Sequence, residues 1–357
     1  MRVVMFGPHV DVMGGISSVV QTWLKSEAIR AVDLTYLSTM REGRQRVKLK
    51  EGLSCQASLM ADVARRGAAD LYHLHVSTDA SFWRKLTFFE QVRRLGRPVV
   101  VHVHGALMEP FYASSPVTAA AMRHMFRNAT RVIALYPGFA DVLARWTGGR
   151  ARTRLLLNPV VLSDFLRPAD TPRPARPTVL FMGVLGDRKG TWDLVHVIPR
   201  ILAEAPNALF RFGGNGEIDR FHALVEELRI GHAVEFLGWV RGDDKLRAFR
   251  EASVYCLPTY FEALPMSVLE AMAARLPVVT TDVNGIPEAM REGQTGYMIR
   301  PGDRDALADR LIRLLRDPAQ AEAMGLAGEA RAHATFDHEV VVRALIDLWQ
   351  DAIRHPL

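Results

Sequence analysis

Cysteine is nearly missing from this chain: its 357 residues hold two, Cys55 and Cys256. Two cysteines so far apart, the second inside the apolar run Ala252-Ser-Val-Tyr-Cys-Leu257, support neither a disulfide framework nor a cysteine metal site, and a reducing cytoplasm is the expected compartment. Long hydrophobic runs are also missing. Pro98-Val-Val-Val-His-Val103 is among the longest and falls far short of the ~20 apolar residues a spanning helix needs, so no membrane crossing is expected. Met1-Arg-Val-Val-Met-Phe6-Gly7 is too short, and charged too early, for a secretory hydrophobic region, and it reads as a first buried strand. There is no Walker lysine motif. Gly7-Pro-His-Val-Asp-Val-Met-Gly14-Gly15 lacks the G-x-G-x-x-G spacing and Tyr36-Leu-Ser-Thr39 offers no ribose-binding acid, which sets a dinucleotide oxidoreductase aside.

What is present describes an ordinary globular enzyme: 49% apolar and 24% charged residues, with 45 glycines and prolines. The length suits two domains with separate cores. Apolar strands at 3–6, 34–37, 71–76, 99–104 and 132–135 alternate with helical stretches at 16–25, 59–65, 83–95 and 138–146. The rhythm restarts with strands at 179–182, 208–212, 234–237, 254–257 and 278–281. Alternation of this kind predicts an α/β fold of two Rossmann-like, doubly wound parallel-sheet domains, facing each other across a cleft. The expected first domain covers 1–166, the proline-rich segment 167–177 is the linker, and the second domain covers 178–336. Charge divides unevenly. Residues 1–166 carry 22 Lys and Arg against 12 Asp and Glu, while the remainder carries 23 against 27. A basic first half concentrates anionic partners: nucleic acid, an anionic bilayer surface or a phosphorylated acceptor.

Glu262 and Glu270 flank a strand-to-helix turn, Tyr260-Phe-Glu-Ala-Leu264-Pro265-Met266-Ser267-Val268-Leu-Glu270. A helix N-terminus at the carboxyl end of a strand is an anion site. One carboxylate before it and one in its first turn suit the hydroxyls of a sugar and of a ribose, leaving the backbone of the donor-binding turn Leu264 to Val268, through its amides other than at Pro265, for a diphosphate. The competing reading is a capping box, Ser267-Val-Leu-Glu270, in which Glu270 only returns a hydrogen bond to the backbone. Other turns add to the pattern. Gly14-Gly15 follows the first strand and opens a helix, as either a phosphate or acceptor contact or a plain turn. Arg188 and Lys189, after Phe181-Met-Gly183, can neutralise a departing diphosphate or form a solvated surface pair.

The run from Tyr260 through Pro277, Asp282, Gly285, Glu288, Gly293, Gly296 and Pro301-Gly302-Asp303 resembles the retaining glycosyltransferases of family 4, the group 1 glycosyl transferases. The resemblance extends over nearly the whole chain, with its strongest motifs between Val179 and Asp303, and it implies the GT-B architecture. It also implies roles. Glu270 would hold the ribose, Arg188 and Lys189 the diphosphate, and Glu262 the sugar hydroxyls. Gly14, Gly15 and Gly183 would line the donor site, Gly214 and Asn215 the turn below the nucleotide, and the backbone of Trp239 and Val240 the base. The chain departs from the family at Val184, where an arginine is common. His104-Gly105 resembles the family's His-Gly, whose histidine approaches the donor sugar. The C-terminal helix, about 337–357, would cross back to the first domain.

The expected reaction is metal-independent, retaining transfer of a sugar from a nucleoside diphosphate sugar to a saccharide acceptor, lipid-diphosphate-linked, in cell-surface polysaccharide or glycolipid synthesis. No cofactor is expected. Two alternatives stay open, a nucleotide-sugar epimerase of the same architecture and a silent nucleotide-sugar-binding subunit. His73 with His75, and His102 with His104, share strand faces by their period of two. No carboxylate is spaced with them, so no metal is expected, and His102 reads as a core histidine. Phe82 to Arg94 combines aromatic and basic residues in a helix, and Arg41 to Lys50 adds cations in an expected loop. Together they suggest peripheral docking at the anionic inner face of the cell membrane, against the alternative that the aromatics pack on the sheet. No nucleic-acid-binding motif accompanies the cations.

Overall fold

The central strands of this chain, such as Leu71–Val76, Val99–Val103, Thr178–Met182 and Val254–Leu257, are buried along their whole length rather than at alternate residues, because each sheet is parallel and covered on both faces. A computed structural model describes residues 1–43, 45–105, 107–166 and 176–356, without the side chains of 45, 48 and 49. Most of the expected linker, 167–175, and Arg44 in the expected basic loop lie outside the described residues.

The chain forms two compact units, Met1–Pro159 with His338–Leu357, and Val160–Asp337. In the first, β1 (Arg2–Gly7), β2 (Asp33–Ser38), β3 (Leu71–Val76), β4 (Val99–Val103), β5 (Arg131–Ala134) and β6 (Thr153–Leu155) form a sheet of order β2-β1-β3-β4-β5-β6. In the second, β7 (Thr178–Met182), β8 (Leu209–Gly213), β9 (Val234–Gly238), β10 (Val254–Leu257), β11 (Val278–Thr281) and β12 (Gly296–Ile299) take the order β12-β11-β10-β7-β8-β9. All the strand pairings are parallel. Parallel pairing sends every loop that follows a strand to the same edge of its sheet. The direction of winding reverses between β1 and β3 in one unit and between β7 and β10 in the other, and such reversals open the crevices where ligands bind.

The helix His338–Arg354 completes the first unit. Val341, Val342, Leu345, Leu348, Trp349 and Ala352 recur at helical spacing and are buried. Its polar side is anchored as well: Glu339 accepts from the Ser26 hydroxyl at 2.9 Å and the Glu27 amide at 2.7 Å, and Arg131 donates to Asp351 at 3.0 Å.

Three expectations need correction. The first domain ends at Pro159 rather than at 166, because the helix Leu162–Phe165 joins the second unit, where Phe165 packs edge-on against Phe249. Residues 45–50 are not a loop but the first turns of a helix, Gln45–Arg66. In the helix Asp79–Arg93, Phe82, Phe88 and Phe89 are buried, so the aromatic face packs on the sheet, and of its aromatic residues only Trp83 is exposed. Two edge strands, β6 and β12, were not anticipated. Among the described residues no helix is long and apolar enough to cross a membrane.

The helix Pro318–Thr335 lies against the end of Met266–Ala273 at Gly325, where a Cβ would come within 2.1 Å of the Arg275 carbonyl oxygen. Gly325→Ala is therefore expected to cost about 1–3 kcal/mol by overpacking, lowering the thermal unfolding midpoint by several degrees in circular dichroism. An unchanged midpoint would contradict this contact.

Candidate functional site

In the second unit the turns that follow β7, β8 and β9 are joined by backbone bonds. The Gly183 amide donates to Gly213 O at 2.9 Å, Leu185 to Asn215 O at 2.6 Å, and Gly214 to Gly238 O at 2.7 Å. A Cβ on Gly214 would lie 1.8 Å from Gly183 O, so only glycine permits this approach. The expected residues Gly183, Gly214, Asn215, Trp239 and Val240 thus share one edge of the sheet. Val184, where the family often has arginine, is exposed.

The crevice at the reversal is bounded by the turn after β7 and the loop after β10. Arg188 and Lys189 sit in a 3₁₀ turn, Asp187–Lys189, whose Arg188 carbonyl accepts from the Tyr260 amide at 2.8 Å and the Thr259 hydroxyl at 2.9 Å. This contact brings both cations to Glu262. Arg188 Nη1 donates to Glu262 Oε1 at 2.9 Å and to Phe261 O at 3.1 Å, and Lys189 Nζ makes a short bond to the same Oε1. Glu262 is only 9% exposed. Two cations on one carboxylate leave a net positive cluster, and Glu262 Oε2 is free among the described residues.

The helix Met266–Ala273 begins with Pro265 as its N-cap, and no side chain caps it. The capping-box reading therefore fails. Ser267 lies inside the helix and hydrogen-bonds the buried Tyr255 hydroxyl, and Glu270 turns to Lys245, whose Nζ donates to Oε1 at 2.6 Å. Glu270 is 4% exposed. A carboxylate buried at that depth needs a hydrogen-bonded partner, which Lys245 supplies, while its Oε2 is free among the described residues. The uncapped first turn of Met266, Ser267 and Val268 leaves amides without side-chain competition at the positive end of the helix. Lys245 was not anticipated. It lies in the charged run Gly242-Asp-Asp-Lys245-Leu-Arg, which reads as a solvated surface helix, and nothing local marks it as a partner for Glu270.

The first unit holds the remaining expected residues. Gly14 (φ 149°) is the N-cap of the helix Gly15–Lys25, and both glycines are exposed. His104 follows β4, half-buried, with its amide donating to Val76 O at 2.9 Å. Its Nε2 is 2.7 Å from His75 Nδ1. Below it, His73, His75 and His102 are fully buried beside Trp23, and one ring nitrogen of each lies within 4.8 Å of the corresponding nitrogens of the other two. That is metal-ligand spacing, but the Trp349 indole N–H donates to His73 Nδ1 at 2.9 Å. A neutral His73 then carries its proton on Nε2 and has no second lone pair to offer a metal. His102 is the core histidine expected, with both ring nitrogens lacking partners among the described residues.

Burial disfavours the imidazolium form, holding His73 down to about 3 and His75 and His102 well below their ordinary value. The unfolded chain binds protons below about 6.5 that the folded chain refuses, so stability falls as pH drops from about 6.5 toward 3, by up to about 1.4 kcal/mol per histidine per pH unit. Buried Lys85, with Thr39 Oγ1 at 2.5 Å, is lowered to about 7 by burial, so its effect appears instead between 7 and 10.5. Urea unfolding at pH 7 and pH 5 is expected to show a shallower acid loss in His102→Leu than in wild type. Equal losses would mean that His102 is not held neutral.

The Glycosyl transferases group 1 model matches residues 163–331, and the Glycosyl transferase 4-like domain model matches 20–159. A phosphatidyl-myo-inositol mannosyltransferase of Mycobacterium leprae is 33% identical over 195 residues, covering 53% of this chain and 50% of that protein. The chain spans about half the length of the curated relatives it matches. Among solved structures, sucrose-phosphate synthase from Thermosynechococcus elongatus superposes with a TM-score of 0.81 at 23% identity, covering 99% of both chains. Anabaena HepE in complex with UDP-glucose superposes with a TM-score of 0.73 at 17% identity, covering 98% of this chain and all of that one. With both halves matched in sequence and the two parallel-sheet units in the architecture of these structures, the chain belongs to the group 1 glycosyl transferases, of family 4 type and GT-B fold.

Proposed function

We propose that this protein is a metal-independent, retaining glycosyltransferase that moves a sugar from a nucleoside diphosphate sugar to a saccharide acceptor. The observation that carries the reading is the uncapped helix at Pro265–Val268, with Glu262 before it, Glu270 within it, and Arg188 and Lys189 on Glu262. HepE, of the same fold, has been solved with UDP-glucose. Here the diphosphate meets the helix amides and the two cations, Glu270 takes the ribose hydroxyls through its free oxygen, and Trp239 and Val240 flank the base.

Glu262 then has two successive tasks. Before the donor arrives it keeps two cations in place. An incoming diphosphate competes for them, and the released carboxylate accepts from the sugar hydroxyls. As the bond between the anomeric carbon and the diphosphate oxygen breaks, Arg188, Lys189 and the helix N-terminus stabilise the charge that develops on the leaving group. The acceptor hydroxyl attacks on the same face and passes its proton to the departing phosphate, giving a glycoside and a nucleoside diphosphate. Gly14, Gly15 and His104, in the first unit, are assigned the roles that the family resemblance implies.

A panel of nucleoside diphosphate sugars, scored by thermal shift and by release of nucleoside diphosphate, tests this reading. One donor is expected to raise the wild-type midpoint, by about 2.7 kcal/mol of linkage at a hundredfold excess over Kd. Glu270→Ala should weaken that donor at least about tenfold, as loss of a charged hydrogen bond costs about 1.5–3 kcal/mol, and a chelator should leave turnover unchanged. If no donor binds, the assignment of this site fails. Interconversion of the sugar without release would indicate an epimerase, and binding with no turnover a silent subunit.

The acceptor is proposed to be lipid-diphosphate-linked, met at an anionic membrane surface. What supports this is the helix Gln45–Arg66, which exposes Arg46, Lys50, Leu53, Ala57 and Met60 on one face, with Leu53 62% and Met60 67% exposed. Flotation with vesicles containing anionic lipid is expected to carry the wild-type protein and to lose most of the Leu53→Asp, Met60→Asp variant. Equal flotation of both would remove this surface.

A further inference from the structure

His104 is placed in the function above by its position after β4, but its chemistry depends on which of its nitrogens carries the proton. A hydrogen bond between two imidazoles holds one proton, and burial keeps both His75 and His104 neutral at pH 7, His104 being held down to about 3. Two arrangements exist. If His75 Nδ1 donates, His104 Nε2 is the acceptor and His104 bears its own proton on Nδ1. If His104 Nε2 donates, its Nδ1 is a bare lone pair and His75 is protonated on the buried Nε2. His104 Nδ1 has no partner among the described residues, so it is the nitrogen left to meet a substrate. The two arrangements make it a donor or an acceptor, respectively.

The deeper residues choose between them. An indole nitrogen is only ever a donor. Trp349, on the last helix, donates to His73 Nδ1 at 2.9 Å, which fixes the His73 proton on Nε2. His73 Nε2 and His75 Nε2 are both buried and without partners among the described residues. A second N–H on His75 Nε2 would add another unpaired buried donor to that of His73, and an orphaned buried N–H is tolerated less readily than an unfilled lone pair. His75 then carries its proton on Nδ1.

We propose that Trp349, His73 and His75 fix His104 as the Nδ1–H tautomer, so that His104 presents a hydrogen-bond donor to a hydroxyl or oxyanion of the substrate. His75 is a positioning residue: it touches no substrate and acts through His104. The proposal rests on the role given to His104 under the function above, but its primary readout does not.

The test uses the full chain labelled with ¹⁵N-histidine, read by long-range ¹H–¹⁵N correlation in wild type, His75→Phe and Trp349→Phe, with His104→Gln to assign the His104 signals. Wild-type His104 is expected to show a protonated Nδ1 and a bare Nε2. His75→Phe, and more weakly Trp349→Phe, should convert it to a mixture of tautomers. His75→Phe should also lower turnover, on the order of ten- to a hundredfold by analogy with the loss of partners that orient metal-ligating histidines. A protonated Nε2 on wild-type His104 overturns the proposal without any variant having to fold. So does a pure Nδ1–H tautomer that persists in both folded variants. If the tautomer responds as expected while His104→Gln turns over normally, the positioning chain stands and it is the role of His104 in transfer that fails.

Discussion

Gly190 carries its backbone so close to Pro258 that a Cβ would lie 1.8 Å from the Pro258 carbonyl oxygen, and its φ of 67° belongs to glycine in any case. The proposed donor site depends on this approach. It presses the turn after β7 against the loop after β10, lets the Arg188 carbonyl accept from Thr259 and Tyr260, and so brings two cations to Glu262 from 73 and 74 residues away. The same economy appears at Gly214 and Gly183. Backbone meets backbone at the edge of the sheet, and the side chains that remain point where a charged ligand would lie. The second unit is net acidic in composition, with 21 Lys and Arg against 25 Asp and Glu over 160–337, while this crevice is cationic, so the local field is set by contacts rather than by net charge.

The two sheets reach comparable crevices through different strand orders. In the second unit the cations, the carboxylates and an uncapped helix surround the reversal between β7 and β10. In the first, the loop after β1 contributes bare glycines, and the chemistry withdraws into the core as a column of four histidines between two indoles. Keeping those rings neutral is a consequence of burial, and it makes them hydrogen-bonding groups rather than charges.

The repeated α/β pattern, most of the strands and the two glutamates were legible in the sequence, because buried parallel strands are apolar throughout and turns announce themselves by glycine and proline. Edge strands were not. Thr153-Arg-Leu155 is short and largely exposed, and Gly296–Ile299 opens on glycine. The run 41–50 reads as a loop because it is dense in cations and poor in apolar residues, although a helix needs only one buried stripe. In Asp79–Arg93 the stripe Phe82, Lys85, Phe88, Phe89 and Val92 has helical spacing, and a lysine in its middle disguised it as a mixed surface. Lys245 and Trp349 were beyond reach: each completes a pair with a residue 25 or 276 positions away, and distance in the chain leaves no local trace.

The last helix also orders events in time. Ribosomes deliver the N-terminal residues first, at about 5–20 residues per second, yet the first unit lacks Trp349, Leu345 and the Glu339 anchor until the final stretch emerges. The second unit, Val160–Asp337, is contiguous and has all its residues before then. On the ribosome the order of synthesis and the order of completion are therefore inverted. At that rate residues 160–337 take about 10–40 seconds to make, and for that interval the apolar face that the last helix covers in the finished first unit, His73 among it, goes without its cover.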